Sequence, residues 1–301
     1  MTPSKLLETV LAYLGLFRAD AAVIAFFSFL LGAELAGGAT WASLASALLV
    51  TGFSANFCYV YNAWTDREND RVNKPGRPIP SGRVTPARAR NYAWFLFAGS
   101  LAYPFLVAAS SEALALYLAI PLLGWAYSSP WPRLKNHPPF SILIVSMGLT
   151  IPMVLGHIHI RGAGSKGWFF FLLFWFASVV VPLKDMGDEA GDLSVGECNL
   201  YHRFGSRLVV FSLAGLFAGL AASPFVPAPW MLRAGAGCLF GAGLCLVGAY
   251  YLAGVPRRPY RAAILLVDFL AVSGWVAAFA VNRGLVPAPA RLWIQKGLGL
   301  G

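Results

Sequence analysis

Two acidic runs carry the residue types and spacings in this chain that could do chemistry. The first reads N-A-W-T-D-R-E-N-D, Asn62 to Asp70, and the second K-D-M-G-D-E-A-G-D, Lys184 to Asp192. Asn62, Asp66 and Asp70 are spaced i, i+4, i+8, while Asp185, Asp188 and Asp192 are spaced i, i+3, i+7. On a helix each set forms one stripe, with neighbouring side chains about 5–6 Å apart. Like charges stacked this way repel by a few tenths of a kcal/mol per pair even at exposed sites. A chain that stacks them twice calls for cations. Magnesium takes oxygen ligands from one or two carboxylates plus substrate phosphates, so two facing stripes would hold Mg²⁺ and, through it, a diphosphate. Water-solvated helix ends account for one D-x-x-D motif, but poorly for two at corresponding places.

Cations stand beside both runs. The segment R-V-N-K-P-G-R-P-I-P-S-G-R, Arg71 to Arg83, is short, basic and proline-rich. Its Lys74 and Arg77 are natural partners for phosphate oxygens, although headgroup contact alone accounts for part of such a loop. Lys184 invites the same role, against the plainer reading of a span-end lysine reaching for the interface.

The elements that position these residues are membrane helices. Of 301 residues, 58% are hydrophobic and only 12% charged, about half the charged share of a soluble domain. One polytopic all-α domain over 1–301 is the expected organisation. Crossing the hydrocarbon core takes about 20 apolar residues. On that ruler nine spans are expected, near 19–37, 43–62, 92–110, 113–129, 139–158, 167–184, 207–223, 232–253 and 262–282. Lys5 to Phe17 is amphipathic enough to lie in the interface, and no compact signal-peptide pattern precedes it.

With the N-terminus in the cytoplasm, 17 of the 23 Lys and Arg residues fall on the cytoplasmic side. That asymmetry supports nine spans and puts both acidic runs at the cytoplasmic rim. It also explains the net charge of +10 without nucleic acid as a partner. The four cysteines, Cys58, Cys198, Cys238 and Cys245, match neither a zinc site nor a disulfide framework.

The order of motifs resembles a known family. N-x-x-x-D-x-x-x-D followed by N-K-P-x-R-P-I-P-S-G, then Y-S-S-P-W-P-R-L-K (Tyr127 to Lys135), then K-D-x-x-D-x-x-x-D, is similar to the UbiA superfamily of intramembrane prenyltransferases. The resemblance runs through the whole chain. It implies a nine-helix bundle around a central cavity, Mg²⁺ as cofactor and a prenyl diphosphate donor. Carried onto this chain, Asn62, Asp66, Asp70, Asp185, Asp188 and Asp192 become metal and diphosphate ligands, with Asp66, Asp70, Asp185 and Asp188 at the centre of catalysis. Lys74, Arg77 and Lys184 become the diphosphate-binding cations. Two departures stand out. Ala63 replaces the usual Asp, and Gly196-Glu197-Cys198-Asn199-Leu200 stands where a G-x-x-T-L segment is usual.

Loss of diphosphate from an allylic chain builds carbocation character, which aromatic faces stabilise and a dry cavity protects. Tyr59 and Tyr127, with Tyr61 and Trp175, are candidates for lining that cavity, against the plainer reading of lipid-facing aromatics. Asp268 lies within the ninth span and is expected to face the cavity or pair with a cation. Arg18 and Asp20 are expected to pair at the first span, and His157 and His159, spaced i, i+2, do not share a helical face. The expected function is transfer of a prenyl group to a hydrophobic or aromatic acceptor, a quinone precursor, a tetrapyrrole or a lipid hydroxyl. An intramolecular terpene cyclase on the same scaffold is the alternative, slightly favoured by Ala63. A secondary transporter fits poorly, because its charges would gather near the midplane.

Overall fold

A computed structural model describes residues 3–162, 168–197, 199–254 and 259–298. Among the described residues it is helical, with no strand. The helices are α1 (Pro3–Phe17), α2 (Ala19–Leu35), α3 (Trp41–Leu49), α4 (Asn56–Thr65), α5 (Arg67–Asn73), α6 (Pro86–Ala102), α7 (Pro104–Val107), α8 (Ser111–Ser128) and α9 (Pro138–Arg161). They continue as α10 (Trp168–Val180), α11 (Glu189–Ser194), α12 (Leu200–Phe204), α13 (Arg207–Ala222), α14 (Trp230–Leu252), α15 (Pro259–Asn282) and α16 (Ala288–Leu298). A π-helical segment, Val50–Ala55, joins α3 to α4, and a 3₁₀ segment, Val181–Gly187, follows α10.

Each expected apolar stretch is helical, but several are interrupted. The second is the composite Trp41–Thr65. The third begins at Pro86, where Thr85 caps the helix, and breaks at Pro104, whose ring cannot sit against a continuing helix. The sixth turns from α into 3₁₀ geometry at Pro182. Among the described residues, five helices are long and apolar enough to cross a bilayer: Trp41–Thr65, Pro138–Arg161, Arg207–Phe225, Trp230–Leu252 and Ala262–Asn282. A sixth arises if Leu7–Phe17 and Ala22–Leu35, bent by 60°, count as one. The bend falls at Arg18, which is left-handed at φ 48. On α1, Ala12 and Leu16 are buried while Leu7, Val10, Leu11 and Leu14 stay exposed, as an interfacial helix requires.

Neighbours run α4–α6–α8–α9–α10–α13–α14–α15 and return to α2, which also packs along α9. That last pair meets backbone to backbone. A Cβ on Gly32 would lie 2.0 Å from the Met153 carbonyl oxygen, and one on Gly156 1.9 Å from that of Phe29. Small residues at a membrane helix crossing gain van der Waals contact through such close approach. Buried apolar side chains gather in three clusters. Phe176, Phe240, Leu183 and Val267 centre one, Phe57, Val60 and Tyr61 another, and Phe29, Tyr117 and Leu155 the third.

A groove of about 450 Å³ is lined by α1, the π segment, Asn56 and Tyr92. The space beside the first acidic run is narrow, about 10 Å³, and is lined by Arg18, Tyr59, Asn62, Asp70 and Arg77. Gly156→Ala should force α2 and α9 apart, at a cost of about 1–3 kcal/mol. Thermal unfolding in detergent checks this, and an unchanged Tm would contradict the close approach.

Candidate active site

The acidic stripes do not lie on straight helices. Asp66 sits between α4 and α5 at φ −96, ψ 14, and Asp188 sits between the 3₁₀ segment and α11 at φ −111, ψ 2. Both lie near the bridge region that active-site residues often occupy. The i→i+4 backbone bonds persist across the first break, with Asp66 N donating to Asn62 O and Asp70 N to Asp66 O, both at 2.9 Å. The stripe therefore survives as a kinked one. The central aspartate of each run is a hinge, an arrangement the spacing alone does not reveal.

The two runs dock directly on one another through α5 and α11. Asn69 Nδ2 donates to Asp192 Oδ1 at 2.8 Å. Asn73 donates to the Asp188 carbonyl at 2.8 Å and accepts from Gly191 N at 2.8 Å. Lys74 reaches across to Asp188 at 2.6 Å and lies 3.9 Å from Asp70. Contact this close requires glycine at 191, where a Cβ would fall 2.5 Å from the Asn69 carbonyl oxygen and 2.3 Å from Asn73 Nδ2.

Each carboxylate has a partner within the chain. Asp70, 3% exposed, accepts from Arg77. Asp66 accepts from Asn62 at 2.7 Å, Lys135 at 2.8 Å and Arg133 at 3.4 Å. Asp185 accepts from Lys184 at 2.6 Å and from Leu200 N at 3.0 Å. Asp192 also accepts from Asn199 at 2.8 Å. Pairing is needed here, because a buried charge stripped of its partner costs about 3–5 kcal/mol. Burial pushes the Asp70 and Asp192 carboxyls above their usual range, against the opposing pull of Arg77 and of the two asparagines respectively.

Of the expected cavity residues, Tyr59 lies under the Arg18 guanidinium at 5.4 Å and Tyr127 under Lys184 at 5.9 Å. Both touch the cationic edge of the site. Val267, next to Asp268, shares a core cluster with Leu183 and Met186, which flank Lys184 and Asp185. Tyr61 stacks on Phe57 at 5.3 Å, and Trp175 lies edge-on to Phe240 at 6.0 Å. His157 packs on Phe170 and His159 on Phe29. Cys198 and the Asp20 side chain lie outside the described residues.

Six further side chains of the rim lie within the quoted segments but were given no role from the sequence: Asn69, Asn73, Arg133, Lys135, Glu197 and Asn199. Arg133 and Lys135 come from the Tyr127–Lys135 segment. Arg133 takes a left-handed backbone, φ 49, a strained state for a long side chain and one that marks functional loops. It bonds Glu197 through Nε at 2.6 Å, and Lys135 reaches the other Glu197 oxygen at 2.9 Å. Burial alone would raise the Glu197 carboxyl, but Lys135 and Arg133 outweigh it and hold the group low. Burial would likewise lower the Lys135 ammonium, and Asp66 raises it instead. Asn69 and Asn73, spaced i, i+4, lie on a face beside the aspartates and signal themselves only once α5 is seen to dock.

Among the described residues, no three His, Cys, Asp or Glu side chains converge into a preformed metal cage. The donors nonetheless fit a hard cation. All are oxygens, and magnesium needs only one or two carboxylates when phosphates complete its shell. The charge balance points the same way. Lys74, Arg77, Arg133, Lys135 and Lys184 face Asp66, Asp70, Asp185, Asp188, Asp192 and Glu197. With one carboxylate in excess, a bare diphosphate is not welcome unless a cation comes with it.

Because Gly191 permits the docking, Gly191→Ala should pry α5 from α11. Its affinity for magnesium pyrophosphate, measured by calorimetry, should fall at least about tenfold, and wild-type affinity would contradict the docked arrangement.

A family model described as the UbiA prenyltransferase family matches residues 22–272. A digeranylgeranylglyceryl phosphate synthase of Methanopyrus kandleri is 32% identical over 250 residues, covering 83% of each chain. One of Hyperthermus butylicus is 29% identical over 301 residues, covering 95% of this chain and 91% of its own. A UbiA homologue from Archaeoglobus fulgidus, solved with GPP and Mg²⁺, superposes with a TM-score of 0.67 at 18% identity, over 89% of this chain and 99% of that one. The match over most of the length, together with the docked acidic runs, makes this chain a member of the UbiA prenyltransferase family.

Proposed function

We propose that this chain moves a prenyl group from a prenyl diphosphate to the hydroxyl of a glyceryl phosphate lipid, within the membrane and with Mg²⁺. The observation that carries the reading is the docking of the two acidic runs, with five cations set among them. The relatives' name, digeranylgeranylglyceryl phosphate synthase, describes a product bearing two geranylgeranyl groups on glyceryl phosphate, which favours a lipid hydroxyl among the acceptors expected from the sequence. The ligands bound by the Archaeoglobus homologue, GPP and Mg²⁺, favour an allylic diphosphate donor. In this reading residues 1–301 form one domain with nine crossings, and the acidic rim faces the cytoplasm, in keeping with the lysine and arginine asymmetry.

Asp66, Asp70, Asp185 and Asp188 would hold the metal, aided by Asn62 and Asp192. Bound there, magnesium supplies a Lewis acid that stabilises the charge growing on the leaving diphosphate. Lys74, Arg77 and Lys184 add hydrogen-bonding positive charge where the leaving-group oxygens sit. Asn69 and Asn73 keep the two halves of the clamp in register. Tyr59 and Tyr127 would turn ring faces toward the allylic carbon as it gains positive charge. Apolar walls exclude water, so the lipid hydroxyl is the available nucleophile. The C–O bond to diphosphate breaks, the ether C–O bond forms, and the hydroxyl proton leaves to a rim carboxylate or to the diphosphate.

Purified protein incubated with Mg²⁺ and geranylgeranyl diphosphate, with and without geranylgeranylglyceryl phosphate, tests the reading by mass spectrometry of the products. An ether-linked product only with the acceptor present is expected. A cyclised hydrocarbon made without acceptor would establish the cyclase alternative. Asp66→Ala and Asp188→Ala should each lower diphosphate release by about 10²-fold, the scale of losing one electrostatic contact at a reacting centre. Near-normal turnover in either variant contradicts the assignment.

A further inference from the structure

Glu197 lies outside both acidic runs, yet both of its oxygens are engaged, by three side chains from other elements. One oxygen accepts from Arg133 Nε at 2.6 Å and pairs with the terminal nitrogen of the same guanidinium. The other accepts from Lys135 at 2.9 Å and from Asn69 at 3.2 Å. Its side chain is only 14% exposed.

The donors do not depend on Glu197 for their placement. Lys135 is also tied to Asp66 at 2.8 Å, Arg133 to Asp66 and the Ser128 carbonyl at 3.4 Å, and Asn69 to Asp192 at 2.8 Å. Glu197 itself belongs to the short connection between α11 and α12, after Gly196 at φ +74. A forked guanidinium, an ammonium and an amide N–H converging on one point suit a tetrahedral phosphate better than a carboxylate, because phosphate offers more oxygens and more charge. They sit beside Asp66, at the hinge of the first acidic run.

We propose that Glu197 is an internal stand-in for a substrate phosphate: it occupies the Arg133–Lys135–Asn69 donors in the resting protein and yields them when a phosphate group arrives. This rests on the reading of the rim as a diphosphate site, and the phosphate comes either from the donor's diphosphate or from a phosphate ester on the acceptor. A ligand that must first expel a bound group binds with an affinity reduced by the fraction of time the site is open. Removing the Glu197 charge should therefore tighten anion binding, whereas loss of a merely structural residue would weaken it.

The test uses the full chain in nanodiscs, with calorimetric titration of inorganic pyrophosphate and, separately, glycerol 1-phosphate, both with Mg²⁺. Glu197→Gln and Glu197→Ala should each bind one of these anions about tenfold more tightly than wild type, and the anion that gains names the source. Glu197→Asp, which draws the charge back by one methylene, should shift affinity in the same direction and serves if the other variants fold poorly. Adding Arg133→Gln should erase the gain. Unchanged or weaker binding of both anions, or a gain that survives Arg133→Gln, overturns the proposal. These titrations need no turnover, so a protein that gains affinity but transfers no prenyl group would refute the proposed reaction and leave this inference standing.

Discussion

Gathering six carboxylates at one rim of an apolar helix bundle is tolerable only if each finds a donor within the chain, and that constraint organises the site. Lys74 shows it most directly, since it bonds Asp188 at 2.6 Å while standing 3.9 Å from Asp70, so one ammonium serves both halves of the chain. Asn69 and Asn73 add uncharged donors between the two runs. The result is a near-balanced lattice of charges, short of one positive group. A magnesium–diphosphate pair can enter such a lattice by exchanging partners, without exposing a bare buried charge along the way.

The scaffold serves this arrangement from a distance. The α2–α9 crossing at Gly32 and Gly156 holds two central helices backbone to backbone, while aromatic residues such as Phe57, Tyr61, Phe176 and Phe240 fill the apolar clusters. Breaks occur where the functional groups lie. The helix path changes at Asp66, at Pro182 and at Asp188. The interruptions aim side chains inward that a straight helix would spread along its length.

The acidic spacing made the two clusters and their cations legible from residue types alone, and the apolar stretches located every long helix. Three things were not legible. The kinks at Asp66 and Asp188 depend on how α5 and α11 dock, which is a tertiary matter. Asn69 and Asn73 carry no charge, and although both fall within the quoted runs, only their partners reveal what they hold. Glu197 was visible as a departure from the family pattern, yet its role depends on Arg133 and Lys135, more than 60 residues earlier. Whether an aromatic residue near a span end, such as Tyr61 or Trp175, serves a core or a cavity is not encoded in its type, because both environments are apolar.

The central claim is that both acidic runs act together on one metal–diphosphate unit. A cryo-EM structure of the protein with Mg²⁺ and a non-cleavable prenyl thiolodiphosphate tests it most directly. The account predicts magnesium about 2.0–2.1 Å from carboxylate oxygens of both runs, with the diphosphate between them. A diphosphate held by one run alone, or bound away from both, would contradict it.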